Sequence, residues 1–565
     1  MMPSSLFIRR VVLSMATIAP TLPAAAQRPL TMAGRSVVYA PHGVVATSQP
    51  LASAAGLAVL QRGGNAIDAA VTAAAVLSVV EPMMTGIGGD MFAMVWIGKE
   101  HRLVALNASG RAGARMTREE LLRRGRTSMP NRGVETVTVP GALAGWDELL
   151  RKYGTITLAE AIAPAIRYAE EGYPVTPIIS DDWKAEEGKL ARDSTAKATF
   201  MPNGHAPAAG EWFRNPDYAR TLREIAAGGP AVFYGGALGQ RIVAHTQKLG
   251  GFLTIEDLRA NKATWVTPIS VVFKGYRVWE LPPNNQGVAT LEMLKILEPY
   301  DLKGMGHNSA AYLHHLIEAK KLAYADLARY VGDADHLVMP AERMLSDEFI
   351  AERRSHLDES RAQEQVDPGP ALTSSETIYL TAADSAGNMV SFINSLFDEF
   401  GSGIVVPGTG FALQDRGAGF TMEAGLPNTV APGKRPFHTL IPAFVSRPGP
   451  TPAADGLGDT PYMSFGLMGG AMQAQGHVQL LLNLFVFGMD IQQAIDVARF
   501  RHLGGMTVTI ESAVPDSVRT ALTRMGHVVT EAQRSQMGGS QAIIRLPRGY
   551  AAGSDPRKDG MAVGY

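Results

Sequence analysis

The chain has 565 residues and no cysteine, so neither a thiol nucleophile nor a cysteine–metal site exists in it. A nucleophile, if present, must be a hydroxyl. Thr377 is the candidate, because it opens a run of alternating β-branched and aromatic residues (377–382) directly behind a polar stretch. A threonine hydroxyl is weak without a base beside it. If the chain is cut between Glu376 and Thr377, the freed α-amino group, with a pKa of about 8, can be that base. Such chemistry also needs donors for an oxyanion. His314-His315 and His438 raise the question of a metal, but no HExxH or equivalent spacing accompanies them, so neither a metal nor a cofactor is expected.

Alternating helices and strands would position these groups. Residues 52–62 read as a helix ended by Gly63-Gly64, and 65–80 as an Ala-rich apolar helix whose small side chains suit close packing. A Gly-rich loop at 83–90 leads into strands at 91–97 and 102–107. Amphipathic helices follow at 118–124, 158–171, 217–227, 286–297 and 309–330. Residues 354–376 are polar, carry Pro368 and Pro370 around Gly369, and lack apolar periodicity. That stretch is either an inter-domain linker or a tail released by a cut before Thr377. A turn at 384–388 then joins the Thr377 strand to a second strand at 389–397.

Composition narrows the field. Hydrophobic residues make up 46% and charged residues 19%, a balance that can bury a large core. Lys plus Arg is 52 and Asp plus Glu is 53, which gives no charge excess for nucleic acid or an anionic membrane. Length alone suggests several domains. At the start, Arg9-Arg10, the short apolar run 11–22 broken by Pro20, and Ala24-Ala25-Ala26 predict a signal peptide over residues 1–26. The mature chain would begin at Gln27 and be exported to a periplasm or beyond. About a dozen apolar residues fall short of the roughly 20 that span a bilayer core. A twin-arginine reading of the Arg pair fits its flanks poorly.

Several ordered segments resemble the γ-glutamyltranspeptidase family, over about residue 36 to the C-terminus. They are GGNAIDAAVTAAAVLSVVEPMMTGIGGD (63–90), TVPGALAGW (138–146), GGFLTIEDL (250–258), EAKKLAYADLARYVGD (318–333), ETIYLTAADSAGNMVSFINSLFDEFGSGI (376–404) and GSDPRKDGMAVGY (553–565). The resemblance implies an α+β fold, the four-layer αββα sandwich of N-terminal-nucleophile hydrolases. It implies self-cleavage between Glu376 and Thr377 into a large subunit (27–376) and a small catalytic subunit (377–565) that stay one folded unit. A homo-oligomer is compatible with it. By the same resemblance Thr377 is the nucleophile, Ser395 a second hydroxyl supporting it, and Gly469 and Gly470 the oxyanion donors.

The resemblance weakens where family members grip a γ-glutamyl group. The matching arginine position falls on Ser109, with Arg111 two residues on, and the asparagine position falls on Phe397. The glutamine and aspartate positions fall on Arg416 and Gly419, and a serine pair becomes His438-Thr439. Losing the aspartate would leave a substrate ammonium buried without a counter-charge unless Asp415 replaces it. Arg111, Arg416 and His438 could instead present positive charge to a carboxylate, for which arginine is suited. The expected substrate is therefore a small amide whose acyl half bears a carboxylate but no α-ammonium, glutaryl- or oxamate-like, with water or an amine as acceptor. Two alternatives stand beside it: a true γ-glutamyltransferase or glutathione hydrolase, and an exported binding relic that no longer cleaves itself.

Overall fold

The computed structural model describes residues 34–364, 376–449 and 458–565. The expected signal peptide (1–26) and residues 365–375 of the polar stretch before Thr377 lie outside the described residues. From Gly34 to Tyr565 the chain forms one compact unit, which replaces the several domains that length suggested.

Two seven-stranded antiparallel sheets form its centre. The first carries the strands of Thr377 and Ser395 in its middle, in the order Met561–Gly564, Val44–Thr47, Glu376–Ala383, Met389–Phe397, Asp90–Ile97, Arg102–Ala108 and Thr264–Val266. The second runs Val38–Ala40, Tyr550–Ser554, Ser540–Arg545, Thr460–Leu467, Ala443–Arg447, Tyr276–Glu280 and Ile269–Phe273. Large apolar side chains fill the space between the sheets. Trp96 from the first stacks on Phe444 from the second at 6.0 Å, with Phe92, Trp279 and Tyr379 in the same cluster.

Each outer face is covered by helices, completing four αββα layers. Over the first sheet lies Ala66–Val80, buried at every one of its 15 positions. A helix apolar all round has no solvent face, and its alanines let backbone and strands approach closely. Asn65 caps it and Asp68 closes a capping box. Over the second sheet lie Gly287–Leu297, Ala310–Tyr330 and Met472–Phe485. The hairpin that carries Thr377 and Ser395 turns at Asp384, whose Oδ1 accepts from the Ala386 and Asn388 N–H groups, while Gly387 takes a φ of +81°.

Candidate active site

Thr377 is the second residue of Glu376–Ala383, at a bulge. Glu376 pairs with Phe397 and Ile378 with Asn394, so Thr377 stands against two residues, Ser395 and Leu396. It is fully buried, and its Oγ has no hydrogen-bond partner among the described residues. Which part of the second sheet it faces follows from its strand. Thr381 Oγ lies 2.6 Å from Ser464 Oγ, and a Cβ on Gly466 would come within 2.3 Å of the Tyr379 ring. One further step along both strands sets Thr377 opposite Met468 and the glycines that follow. Gly469 and Gly470 hold φ of +114° and +58°, and a Cβ on Gly469 would meet the Gly538 Cα at 3.0 Å. These positions need glycine for conformation as well as for access. Gln286 Nε2 donates to the Gly470 carbonyl (2.8 Å) and the Thr439 carbonyl (2.6 Å), tying this loop to the His438-Thr439 segment.

Ser395 links this corner to a second group of residues. Its Oγ accepts from the Phe397 N–H (2.8 Å) and from Arg416 Nη2 (3.1 Å). Phe397 holds a φ of +86°, strained for a residue with a Cβ, a conformation that costs about 1–3 kcal/mol and persists only where neighbours impose it. Its ring lies 4.4 Å under the Arg416 guanidinium. Arg416 is wholly buried. Nη1 donates to Thr439 Oγ (3.1 Å), and Nε has no partner among the described residues. Burial pulls its pKa down to about 10.

The counter-charge is Asp90, a residue that the sequence reading did not single out. Its Oδ1 accepts from the Gly110 N–H (2.9 Å), the Gly141 N–H (3.0 Å) and Gln414 Nε2 (3.2 Å), and Oδ2 lies 3.2 Å from His438 Nε2. Burial raises Asp90 to about 6, with Arg416 as the main opposing influence. His438 Nδ1 accepts from the Leu440 N–H (3.4 Å), so its proton sits on Nε2 and points at Asp90. Burial and Arg416 keep this imidazole well below its usual pKa, hence neutral. A signal for Asp90 existed in GIGGD (86–90). A Cβ on Gly89 would lie 2.2 Å from the Ser395 carbonyl, so the glycines let this loop run against the Ser395 strand and bring Asp90 in with it.

The remaining expected residues separate. Arg111 joins another network, donating to Asp333 Oδ2 (3.0 Å) and the Gly433 carbonyl (2.8 Å). Ser109 is buried and donates to Asn107 Oδ1 (2.7 Å). Asp415 Oδ1 accepts from the Asp398 N–H (3.1 Å), while burial, and then Asp398, raise its pKa. Its Oδ2 has no partner among the described residues. His314 Nδ1 lies 2.9 Å from His527 Nε2 and near Glu318, a grouping that could reach one ion. Glu318 is already paired with Lys321 at 2.7 Å, and the two imidazoles hydrogen-bond each other.

The family model for gamma-glutamyltranspeptidase matches residues 52–565. The chain is 35% identical to the glutathione hydrolase-like YwrD proenzyme of Bacillus subtilis, covering 94% of this chain and 98% of that one. It is also 35% identical to the oxamate amidohydrolase proenzyme of Klebsiella pneumoniae, covering 93% and 98%. Among solved structures, the cephalosporin acylase from Bacillus halodurans superposes with a TM-score of 0.88 at 42% identity, covering 96% of this chain and 99% of that one. With its αββα layers and its threonine at the head of a central strand, the chain belongs to the γ-glutamyltranspeptidase family of N-terminal-nucleophile amidohydrolases.

Proposed function

We propose that this protein is a self-processing amidohydrolase whose substrate carries a carboxylate on a short acyl group without an α-ammonium. The observation that carries this reading is Arg416, buried with one guanidinium nitrogen on Ser395 Oγ and its face on Phe397. Ser395 is the hydroxyl beside Thr377, so a carboxylate that reaches Arg416 can stand only a few bonds from a carbonyl under attack at Thr377. Two of the five guanidinium N–H groups are taken by Ser395 and Thr439, which leaves donors for an anion. Oxamate, the substrate named for one relative, is the shortest such acyl group: its carboxylate is bonded directly to the amide carbon.

Processing comes first. Thr377 Oγ attacks the Glu376 carbonyl, the peptide bond passes to an ester, and water releases the Glu376 carboxylate and a free α-amine. In turnover that amine takes the Thr377 hydroxyl proton as Oγ attacks the substrate carbonyl. The Gly469 and Gly470 N–H groups receive the oxyanion, each worth roughly 3 kcal/mol of barrier. The resulting ammonium protonates the departing amine, and water cleaves the acyl-enzyme by the same route reversed. Export with removal of residues 1–26 belongs to the same proposal; the N-terminus of protein recovered from a periplasmic fraction tests it, and a start at Met1 overturns it.

A γ-glutamyl substrate is the second reading, favoured by Asp415 Oδ2, a buried carboxylate oxygen beside Arg416 with no partner among the described residues. Gly419 offers it no help, and the raised pKa of Asp415 weakens it as a counter-charge for an ammonium. A panel of oxalyl (⁻OOC–CO–), succinyl, glutaryl and γ-glutamyl 4-nitroanilides decides between the two. Turnover of the γ-glutamyl compound equal to or better than that of the glutaryl compound overturns the first reading.

A further inference from the structure

Beside Ser395 the buried charges do not cancel. Arg416, Asp90 and Asp415 are all fully buried, one guanidinium against two carboxyl groups, and His438 is neutral. Lys189, another cation whose charge reaches Asp415, is held by Glu186 (2.6 Å) and Asp398 (3.0 Å). One of the two carboxyl groups is therefore in excess. A buried carboxylate without a counter-charge takes a proton rather than stay ionised. Hydrogen bonding decides which one does so. Asp90 accepts from four donors, the Gly110 and Gly141 N–H groups, Gln414 Nε2 and His438 Nε2. Asp415 accepts from the Asp398 N–H at Oδ1, and its Oδ2 has no partner among the described residues. Donors favour the charged form, so the charge belongs on Asp90 and the proton on Asp415. Burial, and then the charge of Asp398, raise the pKa of Asp415 in the same direction.

The Asp415–Arg416 turn is fastened to the strand end that faces Thr377. The Asp415 N–H donates to the Leu396 carbonyl (3.2 Å), and Leu396 is one of the two residues opposite Thr377 at the bulge. The Asp398 N–H closes on Asp415 Oδ1, as Ser395 Oγ and the Phe397 ring close on the Arg416 guanidinium. Both side chains thus pack on residues 395–398, and each keeps one buried polar atom without a partner among the described residues. These atoms are Oδ2 of Asp415 and Nε of Arg416.

We propose that Asp415 works as a neutral carboxylic acid whose Oδ2–H donates to the substrate's acyl carboxylate, beside the Arg416 guanidinium. It is then a specificity-determining residue, and the inference rests on the reading that the acyl carboxylate is held at Arg416. A protonated acid supplies a donor to a carboxylate and no counter-charge to an ammonium. Once ionised, the same group meets the ligand as a like charge. Affinity for a carboxylate-bearing acyl group therefore falls as rising pH removes the proton.

The test uses the processed enzyme and two 4-nitroanilides. One carries the acyl group that the panel turns over best, and the other has that group's carboxylate converted to a primary amide. From about pH 5 to 9, the wild-type ratio of carboxylate to amide KM values should rise about 10-fold, as loss of a charge-assisted hydrogen bond implies. Asp415→Asn keeps a donor at every pH, so its ratio should stay near the acid wild-type value. Asp415→Ala keeps none, and its ratio should start about 10-fold higher. The freed α-amine of Thr377 titrates in the same range but is common to all three proteins, so only a rise that disappears in Asp415→Asn belongs to Asp415. A flat wild-type ratio, or an equal rise in Asp415→Asn, overturns the proposal. So does a wild-type KM that falls as pH rises and no longer does so in Asp415→Asn, the mark of an ionised Asp415 holding an ammonium. Failure of the acyl reading shows separately, as the γ-glutamyl anilide leading the panel. Should the Asp415 variants not process, the wild-type ratio alone decides, and a flat one rejects the donor.

Discussion

Ser395 and Phe397 are two residues apart on one strand, yet they belong to regions built from different materials. The proposed reaction corner is made of backbone: a bulge at Thr377, and the glycines 469 and 470 with their positive φ values. The floor proposed for the acyl group is made of buried side chains, Arg416, Asp90 and neutral His438. Backbone donors are tied to the fold and accept almost no substitution. A side-chain floor can be exchanged for another of similar volume, provided its charges still cancel. The difference explains how one reaction centre can serve relatives named for a glutathione hydrolase, an oxamate amidohydrolase and a cephalosporin acylase.

The comparison breaks most visibly at Thr377. Thr377→Ala should leave a single band near the precursor mass on a denaturing gel and lower amidase activity by about 10⁴-fold or more, as removal of a nucleophile does. Two bands from this variant would place the cut elsewhere. Gly469→Ala comes next. The added Cβ meets Gly538 Cα at 3.0 Å on a residue with φ of +114°, so kcat should fall by roughly 10²–10³-fold while KM changes little. On the floor, Arg416→Lys keeps the charge but not the fork that spans Ser395 and Thr439. Single-substrate kinetics should show kcat/KM for carboxylate-bearing acyl groups down roughly 10- to 100-fold, with uncharged acyl groups affected far less. An equal loss on both would make Arg416 part of the reaction corner instead.

A smaller effect separates the regions by pH. Folded His438 stays neutral, whereas the unfolded imidazole takes a proton below its ordinary value of 6.5. The unfolded chain therefore binds more protons at this site in acid, and its contribution to stability drops as pH falls below that value. In urea titrations the wild type should lose up to about 1.4 kcal/mol more per pH unit below pH 6 than His438→Asn does. Parallel slopes would mean that His438 protonates in the fold. The smallest change is expected at Arg111, whose pairing with Asp333 is partly solvated at 39% side-chain exposure. Arg111→Ala should cost less than about 1 kcal/mol of stability and shift KM by no more than about threefold. A larger shift in KM would restore it to the substrate site.

Much of the scaffold was legible because period and punctuation are local properties. Residues 158–171 and 389–397 read as the helix Leu158–Glu171 and the strand Met389–Phe397 that the fold contains. Asn65 and Ser309, placed at helix starts, are the caps of Ala66–Val80 and Ala310–Tyr330. Asp90 was not legible as a site residue. Its partners Gly110, Gly141, Gln414 and His438 come from four distant segments, and no window along the chain contains more than one of them. Arg111 and Arg416 looked alike as lone arginines near substrate positions. Only their surroundings distinguish them: Asp333 claims the first at the surface, and Phe397 and Ser395 enclose the second.

By itself the sequence determined the class of chemistry. A chain without cysteine, with a threonine opening a strand and a glycine pair downstream, within ordered segments shared with one family, has few other reactions open to it. Tertiary structure alone decided which charged groups gather around Ser395. Which charges are buried together and which are already cancelled is settled only once the Asp90 loop, more than 300 residues upstream, packs against the Arg416 turn and the His438 segment.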